Sequence, residues 1–338
     1  MEISTDTFAR WCESELGRSG ARIERELSGG NSNLTQLVQT DQGPLVMRSP
    51  PANTISPKAH RGVEREYTVM KALHGHMPVP ETVAWCADPA ILGYPFALVE
   101  HIDGVSITDQ LPTAYAGASA VNALGEQLTD ALAALAIAPW QDIGLDGLGN
   151  PENFLRRQVE RWLTVRADHS VRDLPDIALL GHWLLDNIPP QSPTGVVHGD
   201  FHIDNALFGR ETPALLAVID WEMASVGDPL TDLGLFLMFW GDKRSAEPPG
   251  FAHVQAVTRR HGVHSRRLLA DRWAAASGLS IANLDYYCCF AFWRLAAIVE
   301  GAYGLYVQGK VDTPYARGLE SDVPALLREA AQAAEGDW

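Results

Sequence analysis

The sequence predicts an α+β protein in two lobes: a small mixed lobe over residues 1–103 and a larger, mainly helical lobe over 104–338. Three observations predict it. The 338 residues exceed the roughly 100–200 of a usual single domain. Short extended runs separated by turn residues fill the first hundred positions, up to Asp103-Gly104. Beyond that point helix-period segments dominate, and they are interrupted once, between 195 and 222.

Each element has its own signal. Phe8, Trp11 and Leu16 line one face of a short first helix. ARIERELS and LTQLVQT read as strands, separated by the turn residues Gly29, Gly30, Asn31 and Ser32. PLVMR is a third strand, stopped by Pro50-Pro51. A helix runs from about Pro57 to Leu73, with Val63, Tyr67, Met70 and Leu73 on one face. PFALVEHIDG is a strand entering a turn, and 102–106 is the expected hinge. Helices are expected at 117–138, 151–167, 174–187, 228–241, 250–276, 281–309 and 318–335. Within the interruption, GVVHGD, NALFG and LLAVIDW give three short apolar runs.

Composition narrows the function. With 46% apolar and 20% charged residues the chain is globular rather than disordered. A formal net charge of −16 argues against nucleic acid as a partner and, more weakly, against anionic lipid. One cleft can still be basic, because net charge does not describe a local pocket. The four cysteines are too few for a disulfide scaffold, and adjacent Cys288-Cys289 suits neither a mutual bridge nor a CxxC zinc site. The opening MEISTDTFARWCESEL has no basic and apolar succession, so no signal peptide is expected. The apolar stretch near the C-terminus is interrupted by Arg294 and Glu300, which favours a buried core helix over a membrane span. The expectation is a cytoplasmic protein, monomer or homodimer, with a small-molecule partner and neither nucleic acid nor membrane.

The chemistry concentrates in Val197-His198-Gly199-Asp200-Phe201-His202-Ile203-Asp204-Asn205 and, fifteen residues beyond Asn205, Asp220 within Val218-Ile219-Asp220-Trp221-Glu222. Phosphoryl transfer needs a carboxylate to orient a hydroxyl and take its proton, and oxygen ligands to hold Mg²⁺ against phosphates. The H-x-D-x-x-x-x-N spacing puts an Asp and an Asn on one short loop, and a following hairpin ends in a second Asp. Protein kinases use the same logic.

VVHGDFHIDNALF and AVIDWEMASVGDPLTDLG resemble the aminoglycoside phosphotransferase and choline-kinase superfamily. Within it, LVMR, VERE and GLDGLG with PENFLRRQVERW are similar to the branch of kinase-like domains fused to acyl-CoA dehydrogenases. The resemblance implies a protein-kinase-like bilobal fold. Its small N-terminal lobe would carry an antiparallel sheet and one main helix, and its helical C-terminal lobe the catalytic loop. It implies ATP as donor, with GTP left open, and Mg²⁺. Asp200 would be the catalytic base, and Asn205 and Asp220 the metal ligands. His198 would support the loop. His202 and Asp204 face either acceptor or solvent, and Glu222 either metal, acceptor or neither. Asp228 and Asp232 resemble downstream family acids, but a helix cap before Pro229 for Asp228 and a first-turn acid for Asp232 are the better readings.

Ser28–Asn33 reads equally as a polar hairpin turn or, by the resemblance, as a nucleotide-positioning loop with Ser32 and Asn33 as its contacts. Arg48 stands where the family expects an ATP-binding Lys, and the resemblance gives it Glu66 as partner, leaving Glu64 solvated. Glu100 and Ile102 would offer their backbone carbonyl and amide to adenine, although an apolar strand ending in a turn has the same appearance. The acceptor is expected to be a hydroxylated acyl compound or an aminoglycoside-like sugar. Tyr286, Tyr287, Phe290, Phe292 and Trp293 form core or an acceptor wall, with Arg294 available to an anion. The alternative from another class is a nucleotide-binding pseudokinase, which the Arg48 departure motivates. A zinc hydrolase using His198, His202 and Asp220 lacks the helix and the Glu of an HEXXH site.

Overall fold

A computed structural model of the chain describes residues 5–27, 33–50, 57–190, 193–241, 251 and 254–338, with only the backbone at 5 and 57–60. Five antiparallel strands, β1 (Arg22–Glu26), β2 (Leu34–Gln39), β3 (Leu45–Ser49), β4 (Thr82–Cys86) and β5 (Phe96–Glu100), form a sheet in the order β1-β2-β3-β5-β4. Strand residues alternate between faces. On β3, Leu45 and Met47 therefore join Phe96 and Leu98 beneath α1 (Thr5–Leu16), where Phe8 and Trp11 meet the Phe96 ring edge-on at 5.6 and 5.1 Å. Val46 and Arg48 take the opposite face, towards α2 (Pro57–Leu73), whose Val69, Met70 and Leu73 share a core with Val99. Two elements of this lobe were not legible in the sequence: β4, of whose residues only Cys86 is buried, and the single turn α3 (Pro89–Leu92). A strand without alternating burial leaves no period to read.

The second lobe is built on α4 (Gly117–Ala136), α5 (Phe154–Asp168), α6 (Pro175–Asp186), α7 (Leu230–Met238), α8 (Arg266–Ser277), α9 (Leu284–Val307) and α10 (Pro314–Ala334). Two short antiparallel pairs interrupt them: β6 (Gly195–Val197) with β9 (Ser225–Gly227), and β7 (Ala206–Phe208) with β8 (Leu215–Val218). The expected helix at 250–276 is not continuous. A 3-10 turn at Ala256–Arg259 is followed by a break, and α8 starts afresh where the Ser265 hydroxyl accepts from Leu268 N at 3.2 Å. The cap supplies an orphan amide with an acceptor, so a new helix can begin there. The last helix starts earlier than the expected 318, because Thr313 caps it and Pro314 takes its first position.

Helix α9 is the hub of this lobe. By length and composition it is apolar enough to cross a membrane, yet 61% of its most apolar window is buried inside the protein. Its aromatic stripe is core: Tyr286, Tyr287, Phe290, Phe292 and Trp293 are all buried. The Tyr287 hydroxyl donates to Asp228 Oδ2 at 2.6 Å, and Trp293 Nε1 donates to Ile177 O at 2.8 Å. Asp228 Oδ1 also accepts from Leu230 N at 3.0 Å, the capping role read from the sequence. The hinge is stitched to the second lobe by Val105 N to Phe208 O at 2.9 Å and Phe208 N to Val105 O at 2.8 Å.

Helix α7 lies so close to α9 that a Cβ on Gly234 would stand 2.4 Å from Tyr287 O. A backbone atom cannot rotate away, so the helices would have to part. Gly234→Ala is expected to destabilise the protein by about 1–3 kcal/mol, as overpacked cores do, in denaturant unfolding. Unchanged stability would mean that the two helices separate freely.

Candidate active site

The segment His198–Asn205 leaves β6, makes a 3-10 turn at Ile203–Asn205 and enters β7. Three groups fix its backbone. Asp232, on the first turn of α7 and 1% exposed, accepts from His198 N at 2.6 Å and from Gly199 N at 2.9 Å. The fully buried His198 ring spans to the next motif: Nε2 donates to Ile219 O at 3.0 Å, and Nδ1 accepts from Asp200 N at 3.2 Å. That pair of bonds requires the neutral ring, and burial pushes its pKa down to about 4. Gly199 has φ +86°, and any Cβ there would lie 2.9 Å from Met223 O. The sequence offered Asp232 as an ordinary first-turn acid. The structure makes it the clamp on the loop, a role hinted at only by its match to a family acid.

Asp200 is half-exposed. Burial would raise its pKa, but His202, His198 and the Asn205 amide outweigh that and hold it at about 2. His202 Nε2 lies 3.3 Å from Asp200 Oδ1, and Asn205 Nδ2 donates to Asp200 Oδ2 at 3.0 Å and to Asp200 O at 2.8 Å. Asp204 points to the other side of His202, with Oδ1 3.9 Å from Nδ1. Burial pushes Asp204 up to about 6. Its backbone carbonyl accepts from Ser106 Oγ at 2.7 Å, next to the hinge.

The second motif adjoins the first through Ile219 N, which donates to Asn205 O at 2.9 Å. Asp220 follows in a left-handed conformation (φ 68°), and a 3-10 turn at Trp221–Met223 leads into β9. Trp221 is fully buried, its ring centroid 4.5 Å from that of His198.

The first lobe meets this frame. Arg48 Nε donates to Glu66 Oε2 at 3.0 Å, Nη1 donates to the Thr35 hydroxyl, and Nη2 lies 3.5 Å from Asp220 Oδ1. Burial opposes the guanidinium charge, but Glu66, Asp220 and Glu222 outweigh it and hold its pKa above the ordinary range. Glu66 is 3% exposed while Glu64 is exposed, so Glu66 is the partner. Buried Asn33 donates to Glu222 Oε2 at 2.9 Å, and Arg65 Nη1 donates to Ala224 O at 2.7 Å. Ser32 lies outside the described residues. Glu100 ends β5, where its side chain accepts from Glu81 N at 2.9 Å, and the Ile102 amide donates to no described residue. Glu100 is the last residue of the strand that pairs Ala97 with Arg48, and Ile102 lies two residues beyond it, at the hinge.

Asp220 and Asn205 suit a divalent cation. Asp220 Oδ1 is buried without a hydrogen bond, and burial raises the Asp220 carboxyl even though Arg48 opposes it. A bound cation would relieve that cost. Among the described residues no cluster of three or more His, Cys, Asp or Glu forms a cation cage. A pair of oxygen ligands is the pattern of Mg²⁺, which takes its remaining ligands from water and phosphates.

Beside Gly199 and Glu222 a cavity of about 460 Å³ opens between α2, α5 and α9. Arg61, Arg65, Arg161 and Arg294 line it against one carboxylate, Glu222. Arg294 Nη1 donates to Gly199 O at 3.3 Å, and its Nε is buried without a partner. Sequence reading singled out Arg294 alone. The other three arginines are scattered over two helices, and no local pattern marks them.

Comparison with known proteins gives a consistent picture. A family model described as the phosphotransferase enzyme family matches residues 24–263. Acyl-CoA dehydrogenase family member 11 of Gallus gallus is 32% identical over 319 residues, which cover 93% of this chain and 40% of that protein. The chain thus spans about two fifths of the length of this curated relative. A Ralstonia eutropha protein assigned to the aminoglycoside phosphotransferases superposes with a TM-score of 0.81 at 26% identity, covering 99% of both chains. Aminoglycoside 2'-phosphotransferase-IIIa, solved with GDP, shares the fold with a TM-score of 0.64 at 15% identity over 97% of this chain and 99% of its own.

The neutral His198 generates a stability prediction. Its folded pKa of about 4 lies below the ordinary 6.5, so the unfolded chain binds the proton first and stability is lost as pH falls from 6.5 towards 4. The full loss from this group is about 3 kcal/mol at 1.36 kcal/mol per pKa unit. Denaturant unfolding from pH 7 to 4.5 is expected to show a steeper loss for wild type than for His198→Gln. Equal slopes would place the acid sensitivity elsewhere.

Proposed function

The chain belongs to the phosphotransferase enzyme family that its residues 24–263 match, and we propose that it moves the γ-phosphoryl group of ATP to a hydroxyl of a small, anionic acyl compound. The observation that carries this reading is an ionised, half-exposed Asp200 on a loop fixed by Asp232, His198 and Ile219, beside a cavity lined by four arginines.

Asp200 orients the acceptor hydroxyl. The acceptor oxygen bonds to the γ-phosphorus, the bond to the β-phosphate oxygen breaks with its electron pair leaving on ADP, and the hydroxyl proton passes to Asp200. Asn205 and Asp220 would hold Mg²⁺, which when bound neutralises charge on the phosphates. Arg48 supplies fixed positive charge at the lobe boundary, where Glu66 orients it. Arg differs from Lys in its planar fork, so its phosphate contacts need not follow those of a Lys. Glu100 and Ile102 offer backbone groups to the purine. GTP remains a donor to be tested beside ATP, since a relative of the same fold was solved with GDP. The four free, buried cysteines suit a reducing, cytoplasmic setting.

The cavity supports an anionic acceptor. In a chain with net charge −16, four arginines against one carboxylate make a locally basic wall. A polycationic aminoglycoside would meet like charge there. Phe154, Trp162 and Phe290 in the same cavity suit an acyl chain.

Asp200→Ala is expected to lower kcat by about 10²–10⁴ while ATP still binds, as loss of a positioned base does. Wild-type turnover in that variant would sink the assignment. Against pooled acceptors, hydroxy acids and their thioesters are expected to be phosphorylated in preference to aminoglycosides, choline and neutral sugars. Arg161→Glu is expected to raise KM for the anionic acceptor at least tenfold without changing KM for ATP. Preference for a polycation would overturn the acceptor class, and silence in every pool with ATP bound would overturn the kinase.

A further inference from the structure

A second cavity, of about 770 Å³, lies between α5, α6 and the C-terminal half of α9. It shares no lining residue with the catalytic cavity: Phe154, Gln158 and Arg161 of α5 serve the first, and Leu163, Arg166 and Ala167 the second. Arg166 is 8% exposed, and its Nε and Nη1 are buried with no hydrogen-bond partner. The nearby carboxylate is already committed. Glu300 accepts from Arg172 Nη2 at 2.7 Å and Nε at 3.1 Å. Arg172 also donates to Leu319 O and Glu320 O, and lies 4.0 Å over the Tyr303 ring. The Arg166 charge is left without an acceptor, and burial lowers its pKa even with Glu300 near. Asp173 and His182, the remaining titratable groups of the lining, are exposed at its rim.

Burying a guanidinium without an acceptor costs several kcal/mol unless something completes it. The walls beside it are apolar, with Leu163, Ala167, Leu174 and Ile177. We propose that this cavity is a second binding site, for an amphipathic carboxylate whose head group pairs with Arg166 and whose chain lies along α5 and α6. This site stands independently of phosphoryl transfer, because neither Asp200 nor the nucleotide takes part in it.

The test is thermal unfolding of the full chain with octanoate, and with octanol as the same chain without charge. Octanoate is expected to raise the melting temperature of wild type and octanol to leave it unchanged. Arg166→Met removes the charge, and Ala178→Trp fills the mouth at an exposed position of α6. Both are expected to weaken octanoate binding at least tenfold, whereas Arg161→Met, in the catalytic cavity, keeps it. Empty Arg166→Met is expected to melt at or above wild type, since an unpaired buried charge is gone. The proposal is overturned by any of four results: no shift with octanoate, an equal shift with octanol, a shift that survives in either cavity variant, or a lower melting temperature for empty Arg166→Met, which would make the guanidinium a structural strut.

Discussion

The Arg48 guanidinium joins the two lobes, and the site depends on it. It leaves β3 on the face opposite Leu45 and Met47, and it is held by Thr35, Glu66 and Asp220. A buried guanidinium is tolerable only when such partners surround it. Two partners belong to the first lobe and one to the second, so satisfying the charge also sets the lobes against each other. Asn33 to Glu222 and Arg65 to Ala224 then close the same seam. With Arg48 seated, Asp220 is turned towards the lobe boundary, and the backbone link from Ile219 to Asn205 carries that placement to the loop of Asp200.

The catalytic loop is stiff for reasons that are mostly not in the loop. Asp232 takes two adjacent amides, the His198 ring bridges to Ile219, and Gly199 leaves room for Met223. Each contact comes from a different element: α7, the end of β8 and the turn after Asp220. A carboxylate placed by rigid elements keeps its aim, which is what positioning catalysis requires. The arginine-lined cavity opens directly on Gly199, so the loop that carries Asp200 also forms one wall of the cavity proposed to take the acceptor.

Much of the fold was legible because the relevant signals are local. The apolar faces of α1 and α2 and the long period of α4 stand in the sequence as written, while the turn read at Gly29, Gly30, Asn31 and Ser32 lies outside the described residues. The motif residues Asp200, Asn205 and Asp220 were legible for the same reason, since their spacing lies within one hairpin unit. What failed was non-local or weakly patterned. Strand β4 has one buried residue, β9 exists only by pairing with β6, and the stretch around Ser265 reads as one helix until its cap is seen. The Glu66 partnership came from the resemblance carried by VERE, whereas the Asn33 contact with Glu222 joins residues 189 positions apart and has no local signal.

The sequence by itself determined the α+β class, a mixed lobe followed by a helical one, and the spacing of Asp200, Asn205 and Asp220, since composition, period and short spacing are properties of neighbouring residues; it left the aromatic stripe of α9 open between core and acceptor wall. The tertiary structure alone decided that Asp232 clamps the loop, that four arginines from three helices line one cavity, and that Arg166 is left unpaired in another. Those facts are sums over distant residues. A charge acquires its meaning from what folding places within a few ångströms of it, and that is written in no single segment of the chain.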